Sequence, residues 1–317
     1  MSQLVHRNRV AELAVACVLA AACGESTSVD TDLDGYRHLR GALARAETSS
    51  SQARGRYVAE AVYLQSTSGL TTTGRLVRPS TGRCFAAVLL QDGREENSGV
   101  IGRLPSAFGD VVVLSLDYPT ELPYTVELRD FLLHSGTLRD GARKIPPAFS
   151  LGVAYLAQRA DVDPTRIAIA ATSFAVPFAV IAAAADDRFR NVALIYGAGD
   201  LPSVLAANLP NVPRVLRDPV AAAAMRSFAA FAPERFVGRI APRPIVMVNG
   251  IDDPQMPETA VRHLYDAAHD PKEMIWLRTG HLMPTDSVLI RALIDTAFSR
   301  LPVLQDSLRS SGCARGE

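Results

Sequence analysis

The sequence predicts an α/β fold: a mostly parallel central sheet with helices on both faces and a small helical insertion. Three observations point there. Short apolar runs alternate with longer helical segments along most of the chain. The runs are apolar throughout rather than every second residue, which is the pattern of strands buried on both faces of a parallel sheet. No internal repeat and no second core interrupts the alternation, so one domain accounts for the folded part of the 317 residues.

Taken in order, two strands come first, at 57–64 (YVAEAVYL) and 71–79 (TTTGRLVRP), the second ending at Pro79. Their partial alternation suits an antiparallel pair. The apolar runs follow at 85–90 (FAAVLL), 111–116 (VVVLSL), 167–171 (IAIAA), 192–196 (VALIY), 245–248 (IVMV) and 274–277 (MIWL). Helices are expected at 147–159, 176–185, 258–268 and 287–300. Pro147 and Pro177 suit the first turn of a helix, where no backbone N–H is needed. Residues 201–239 do not fit the alternation. They hold Pro202, Pro210, Pro213, Pro219 and Pro233 around an alanine-rich helix, and read as an insertion over the sheet.

The N-terminus has the proportions of an export signal: Arg7 and Arg9, an apolar stretch at 13–22 (LAVACVLAAA), then polar residues after Cys23. Ten apolar residues are too few to span a bilayer, which takes about 20. The sequence LAAAC at 19–23 resembles a bacterial lipoprotein box, which implies lipidation of Cys23 and removal of residues 1–22. A plain secretory signal and a buried N-terminal helix are the alternatives. The expected layout is signal 1–22, lipid-anchored tether 23–50 with a short helix near 36–46, folded domain 51–305 with the insertion 201–239, and tail 306–317. The protein would then face the cell envelope, membrane-anchored or secreted. Cys84 and Cys313 remain in the mature chain and are able to pair in an oxidising compartment.

Charge and composition exclude other roles. Lys plus Arg and Asp plus Glu both total 33, so no global field favours nucleic acid. The histidines do not cluster with cysteines or acids at zinc-like spacing, and no metal site is expected.

The chemistry centres on three short stretches. Ser173, in ATSFA, lies where a buried strand turns into a helix, and such a turn lifts a side chain above the sheet with helical N–H groups beside it. After the strand at 245–248 the chain reads NGIDDPQMP, and after that at 274–277 it reads RTGHLMP. Ser173, Asp253 and His281 are thus separated by 80 and 28 positions, each at the carboxyl end of an expected strand. Asp252 is the other candidate acid. His263 lies within the helix expected at 258–268 and His269 near its C-terminus, where it suits the helix dipole, and His134 has no acid in a matching loop.

In this order and spacing the chain resembles the α/β-hydrolase family, in particular its dienelactone-hydrolase-like and serine-esterase branch. The family's G-x-S-x-G elbow stands here as Ala171-Thr172-Ser173-Phe174-Ala175, with alanine at both glycine positions. Its acid loop aligns Gly250, Asp253, Met256 and Pro257, and its register favours Asp253 over Asp252. The resemblance implies Ser173 as nucleophile, His281 as base and Asp253 as its orienting acid. It also implies an oxyanion hole from the backbone N–H groups of Phe174 and Arg94, although the loop QDGR carries Asp92-Gly93 where the family has His-Gly or Gly-Gly. The implied activity is hydrolysis of a small-molecule carboxylic ester without cofactor. Dienelactone hydrolases themselves use cysteine, so their own activity is not implied. Thioesterase, lipase or peptidase activity on the same fold, or a noncatalytic binding module, are the alternatives. Leu205, Leu209 and Leu216 of the insertion are candidates for lining an acyl pocket. Nothing in the sequence bears on oligomeric state.

Overall fold

The structure, a computed structural model, describes residues 28–49, 52–93, 101, 108–119, 133–283 and 286–305. Among them the chain forms α1 (Val29–Arg40), β1 (Leu43–Thr48), β2 (Gln52–Arg54), β3 (Tyr57–Ser66), β4 (Thr71–Pro79), β5 (Phe85–Gln91) and β6 (Val111–Leu116). These are followed by α2 (Ser135–Arg143), α3 (Ile145–Gln158), β7 (Val162–Thr172), α4 (Val176–Ala185), β8 (Asn191–Ile195), α5 (Leu201–Ala207) and α6 (Arg214–Met225). The last elements are β9 (Ile245–Gly250), α7 (Glu258–Ala267), β10 (Lys272–Leu277) and α8 (Ser287–Phe298).

The strands build one ten-stranded sheet in the order β1-β3-β4-β6-β5-β7-β8-β9-β10, with β2 paired to β3. The pairs β1·β3, β2·β3, β3·β4 and β4·β6 are antiparallel, and every pair from β6 through β5 and β7 to β10 is parallel. Within the apolar runs, the side chains divide strictly by strand period. Ile167, Ile169 and Ala171 of β7 join Val192 and Leu194 of β8 and Ile245 and Met247 of β9 in one core. Ala168 and Ala170 join Ala193, Ile195, Val246 and Val248 in the other. Helices α1, α3 and α4 pack into the first core and α8 into the second. Both faces are therefore dry, which is why these strands carry no polar alternation. Helix α4 (VPFAVIAAAA) is buried nearly all round, as its continuous apolar sequence requires.

The N-terminal part differs from the sequence expectation. Of the stretch expected as a tether, residues 28–49 are built into the body: a helix at Val29–Arg40, earlier than the one expected near 36–46, and an edge strand at Leu43–Thr48. Ser28 caps α1 by accepting from the Thr31 N–H at 3.2 Å. Leu33 and Tyr36 are buried against the first core, while Asp32 pairs with Arg235 at 2.8 Å and Asp30 with Arg239 at 3.0 Å. Two apolar anchors on an otherwise charged helix suffice here because the body supplies the matching arginines. Elsewhere the differences are at element ends. α3 starts at Ile145 rather than 147, and β7 runs from Val162 rather than 167. Helix α2 is additional.

Cys84 is disulfide-bonded. The signal, Cys23, Arg94, Cys313 and the tail 306–317 lie outside the described residues. Among the described residues no helix is long and apolar enough to cross a membrane.

Candidate active site

Strand β7 ends at Thr172 in extended conformation, and the next residue, Ser173, takes a left-handed backbone with φ +51°. A non-glycine residue there costs about 1–3 kcal/mol and persists only where its surroundings enforce it. The enforcement is visible on both sides. Ala171 pairs with Gln91 of β5 and Leu194 of β8, and Ala171 and Ala175 are both fully buried in the first core. From Ser173 the chain makes one tight turn, Ser173–Ala175, the Val176 N–H donating to the Ser173 carbonyl, and enters α4 with Pro177 in its first turn. The serine hydroxyl is thereby held at the carboxyl end of the sheet, where two further loops converge.

The loop after β10 brings His281 Nε2 to 3.2 Å from Ser173 Oγ. The loop after β9 brings Asp253 Oδ2 to 2.7 Å from His281 Nδ1. The other carboxylate oxygen accepts from the Gln255 N–H at 2.8 Å and the Met256 N–H at 3.3 Å, so both oxygens are committed. The Asp253 side chain is 1% exposed and the His281 side chain 11%. A carboxylate only accepts, so Nδ1–H donates to Asp253, and in the neutral imidazole the Nε2 lone pair then faces the serine. Asp252, the alternative acid, is exposed, and its N–H donates to the Thr279 carbonyl at 3.1 Å.

The acid and histidine loops are laced together by backbone. Besides the Asp252 bond, the Ile251 N–H donates to Leu277 at 2.8 Å. Gly250 lies so close to the Thr279 carbonyl oxygen that a Cβ there would collide with it. Sequence reading assigned Gly250 to a loop motif; its physical reason is this approach of two backbones.

Three supporting residues had no sequence signal of their own. Tyr196 follows β8 with φ +51°, is fully buried, and sets its ring 5.1 Å from that of His281. Its hydroxyl is 2.9 Å from the Thr279 hydroxyl, and burial pushes its ionisation up, so the phenol stays protonated. Asn208, just past α5, donates to the Gln255 carbonyl at 3.0 Å and so ties the insertion to the acid loop. Tyr118 donates its hydroxyl to the Asp92 carbonyl at 2.6 Å and packs edge-on against Phe174, fixing the end of β5 against the elbow.

Of the two backbone donors expected for an oxyanion, Phe174 directly follows Ser173 in the turn, and Arg94 lies outside the described residues. The Asp92 side chain accepts from its neighbour Gly93 N–H at 2.7 Å.

A cavity of about 560 Å³ opens beside Ser173 and His281, within the range of small-molecule sites. The insertion contributes much of its wall through Leu201, Val204, Leu205, Met225, Phe228 and Phe231. Of the three leucines singled out in the sequence, Leu205 lines the cavity, Leu209 is buried in a small cluster of its own, and Leu216 is exposed.

No protein-family model matches the sequence, and no curated protein does. Solved structures do. The chain is similar to acetyl xylan esterase 1 from Thermoanaerobacterium sp. (TM-score 0.63, 16% identity, 86% of this chain and 94% of that one). It is similar to an acetyl xylan esterase from Paenibacillus sp. (TM-score 0.64, 16% identity, 88% and 98%). A cold-adapted esterase from an Arctic intertidal metagenomic library matches with TM-score 0.57 and 13% identity over 80% of this chain and 98% of that one. At these identities the likeness is one of architecture, and with the parallel sheet and its helical layers it establishes that this chain has the α/β-hydrolase fold.

Proposed function

We propose that the protein is a serine hydrolase of carboxylic esters, on the serine-esterase side of the dienelactone-hydrolase-like branch. The observation that carries this is the relay from Ser173 through His281 to Asp253, at 3.2 and 2.7 Å, assembled from the ends of three parallel strands. A serine at a structural corner has no need of a buried, fully hydrogen-bonded carboxylate two residues removed from it in contact. The esterases among the similar structures accord with an ester as substrate class.

In the proposed reaction Ser173 Oγ attacks the acyl carbon and its proton passes to His281 Nε2. Asp253 keeps its charge, holds the Nδ1–H and stabilises the imidazolium. The oxyanion is received by backbone N–H groups of Phe174 and Arg94, each worth on the order of 100-fold or more in rate. When the acyl–alkoxy bond breaks, the alkoxide takes the proton from Nε2 and leaves as alcohol. Water then attacks the acyl-enzyme, gives a proton to His281, and Ser173 departs with that proton as the acid is released. Ester and water become acid and alcohol, and the scheme draws on no cofactor.

The test is turnover of small activated esters by purified wild-type protein and by Ser173→Ala and His281→Ala. Each substitution is expected to cost roughly ten-thousandfold or more in kcat. Turnover unaffected by either would refute the proposal. For residues 1–23 the proposed reading stays export and lipid attachment at Cys23. Cys23→Ser should move the protein from the membrane fraction to the soluble one, and an unchanged membrane fraction would count against the anchor.

A further inference from the structure

The cavity beside Ser173 is not uniform. On the side of the elbow its wall is a run of aromatic rings in edge and tilted contact: Phe174 to Phe178 at 5.3 Å, Phe178 to Phe231 at 5.7 Å, and Phe231 to Phe228 at 6.2 Å between centroids. Phe178, Phe228 and Phe231 are at most 8% exposed. Three elements meet here, the turn Ser173–Ala175, α4 and the short helical turn Arg226–Phe231 of the insertion, so the wall is a built surface and not one helix face. On the other side, next to His281, the lining is Leu282, Met283 and the acid loop.

The chemistry of acyl transfer assigns these sides. The leaving oxygen must take its proton from His281 Nε2, so the alcohol part lies toward the histidine. With the leaving oxygen at His281 and the oxyanion at the Phe174 N–H, the acyl substituent takes the remaining direction, into the cavity that the aromatic rings line. Among the described residues the lining contains no lysine or arginine; its polar side chains are Asp92, Thr172, Ser173, Asn208, Gln255 and His281. Asp92 accepts from the Gly93 N–H, and Asn208 donates to the carbonyls of Val204 and Gln255. A carboxylate or phosphate would find no cationic partner there, and the four rings of the aromatic wall offer a sugar no hydrogen bond. An acetyl group, with one methyl, would leave most of it unfilled.

We infer that the aromatic side of the cavity is an acyl subsite, and that the substrates are esters of extended apolar or aromatic carboxylic acids rather than acetates. This rests on the serine-hydrolase reading and adds to it the class of acid. Each methylene removed from water into such a pocket should raise kcat/KM by roughly fourfold until the wall is filled. A change confined to the alcohol should have a much smaller effect.

The experiment uses the full chain with two ester series: p-nitrophenyl esters of straight-chain acids from acetate to octanoate, and acetate esters of alcohols of rising length. The expected result is a steep rise with acyl length and a shallow dependence on the alcohol. Leu205→Trp, which adds bulk to the cavity wall from α5, should lower the octanoate-to-acetate ratio of kcat/KM by at least about tenfold. Flat or falling kcat/KM beyond acetate would overturn the inference while leaving a serine esterase. So would a steep dependence on the alcohol alone, or an octanoate-to-acetate ratio that Leu205→Trp does not move. Absence of any turnover, with no labelling of folded protein by a fluorophosphonate, would instead remove the serine-hydrolase reading beneath it.

Discussion

Ser173 holds a backbone angle that L-residues rarely adopt, and the alanines around it explain how the chain sustains that angle. Alanine at 171 and 175 keeps β7 and α4 close, yet each contributes a methyl group to the core that glycine would not. The substitution of glycine by alanine at both places made the elbow hard to read from five residues alone. The structure resolves this because small size, not absence of a side chain, is what the turn needs. Gly250 is the opposite case, since even a methyl group would strike the Thr279 carbonyl. Gly250→Ala should force the acid loop away from the histidine loop. Displacements of about 1 Å can cost on the order of 100-fold, so ester turnover should fall by that order while circular dichroism stays native. Wild-type turnover in that variant would show that the two loops are not held by this contact. Tyr196 and Asn208 escaped sequence reading because their roles depend on neighbours 83 and 47 positions away.

Among the elements, the continuous apolar runs were the most legible in the sequence, and β3 and β4 were legible through their partial alternation. β5 to β10 announce themselves as apolar runs, and α4 as a continuous apolar helix. β1 (LARAET) is an exposed edge strand with one half-buried residue, and α1 buries Leu33 and Tyr36 with Val29 partly buried against the core, so neither has a strong apolar pattern. What holds α1 is partly ionic. Arg40 reaches Asp186 at 2.9 Å, the carboxylate that also binds Arg188 at 2.6 Å just past α4. Burial by itself would raise the Asp186 ionisation, but the hydrogen bonds and charge of Arg188, with Arg40, outweigh it and hold the carboxyl below its ordinary range. A depressed folded-state value contributes stability that is present above the unfolded-state value, near 3.9, and lost as pH falls through the folded one. Asp186→Asn should therefore cost roughly 3 kcal/mol by urea denaturation at neutral pH. It should also flatten the loss of stability below about pH 4. An unchanged acid limb in the variant would mean that Asp186 is not the group responsible.

At the scale of the whole molecule, the sheet does the positioning. Parallel strands β7, β9 and β10 all end on the same side, so three residues spread over 108 positions of chain meet within hydrogen-bond reach. Fold class and the order of the three stretches were legible because alternation of apolar runs and helices fixes where strand ends fall. The cavity was not, because its aromatic wall joins α4 to an insertion whose path no periodic pattern describes. The balanced charge of 33 against 33 agrees with a site that selects by shape and apolar surface and not by long-range field. The proposed role of Ser173 as nucleophile is tested most directly by intact-protein and peptide mass spectrometry after exposure of the folded chain to a fluorophosphonate. One adduct is expected, on Ser173, absent in Ser173→Ala and strongly slowed in His281→Ala. A folded protein that takes no adduct, or takes it on another residue, would contradict that role.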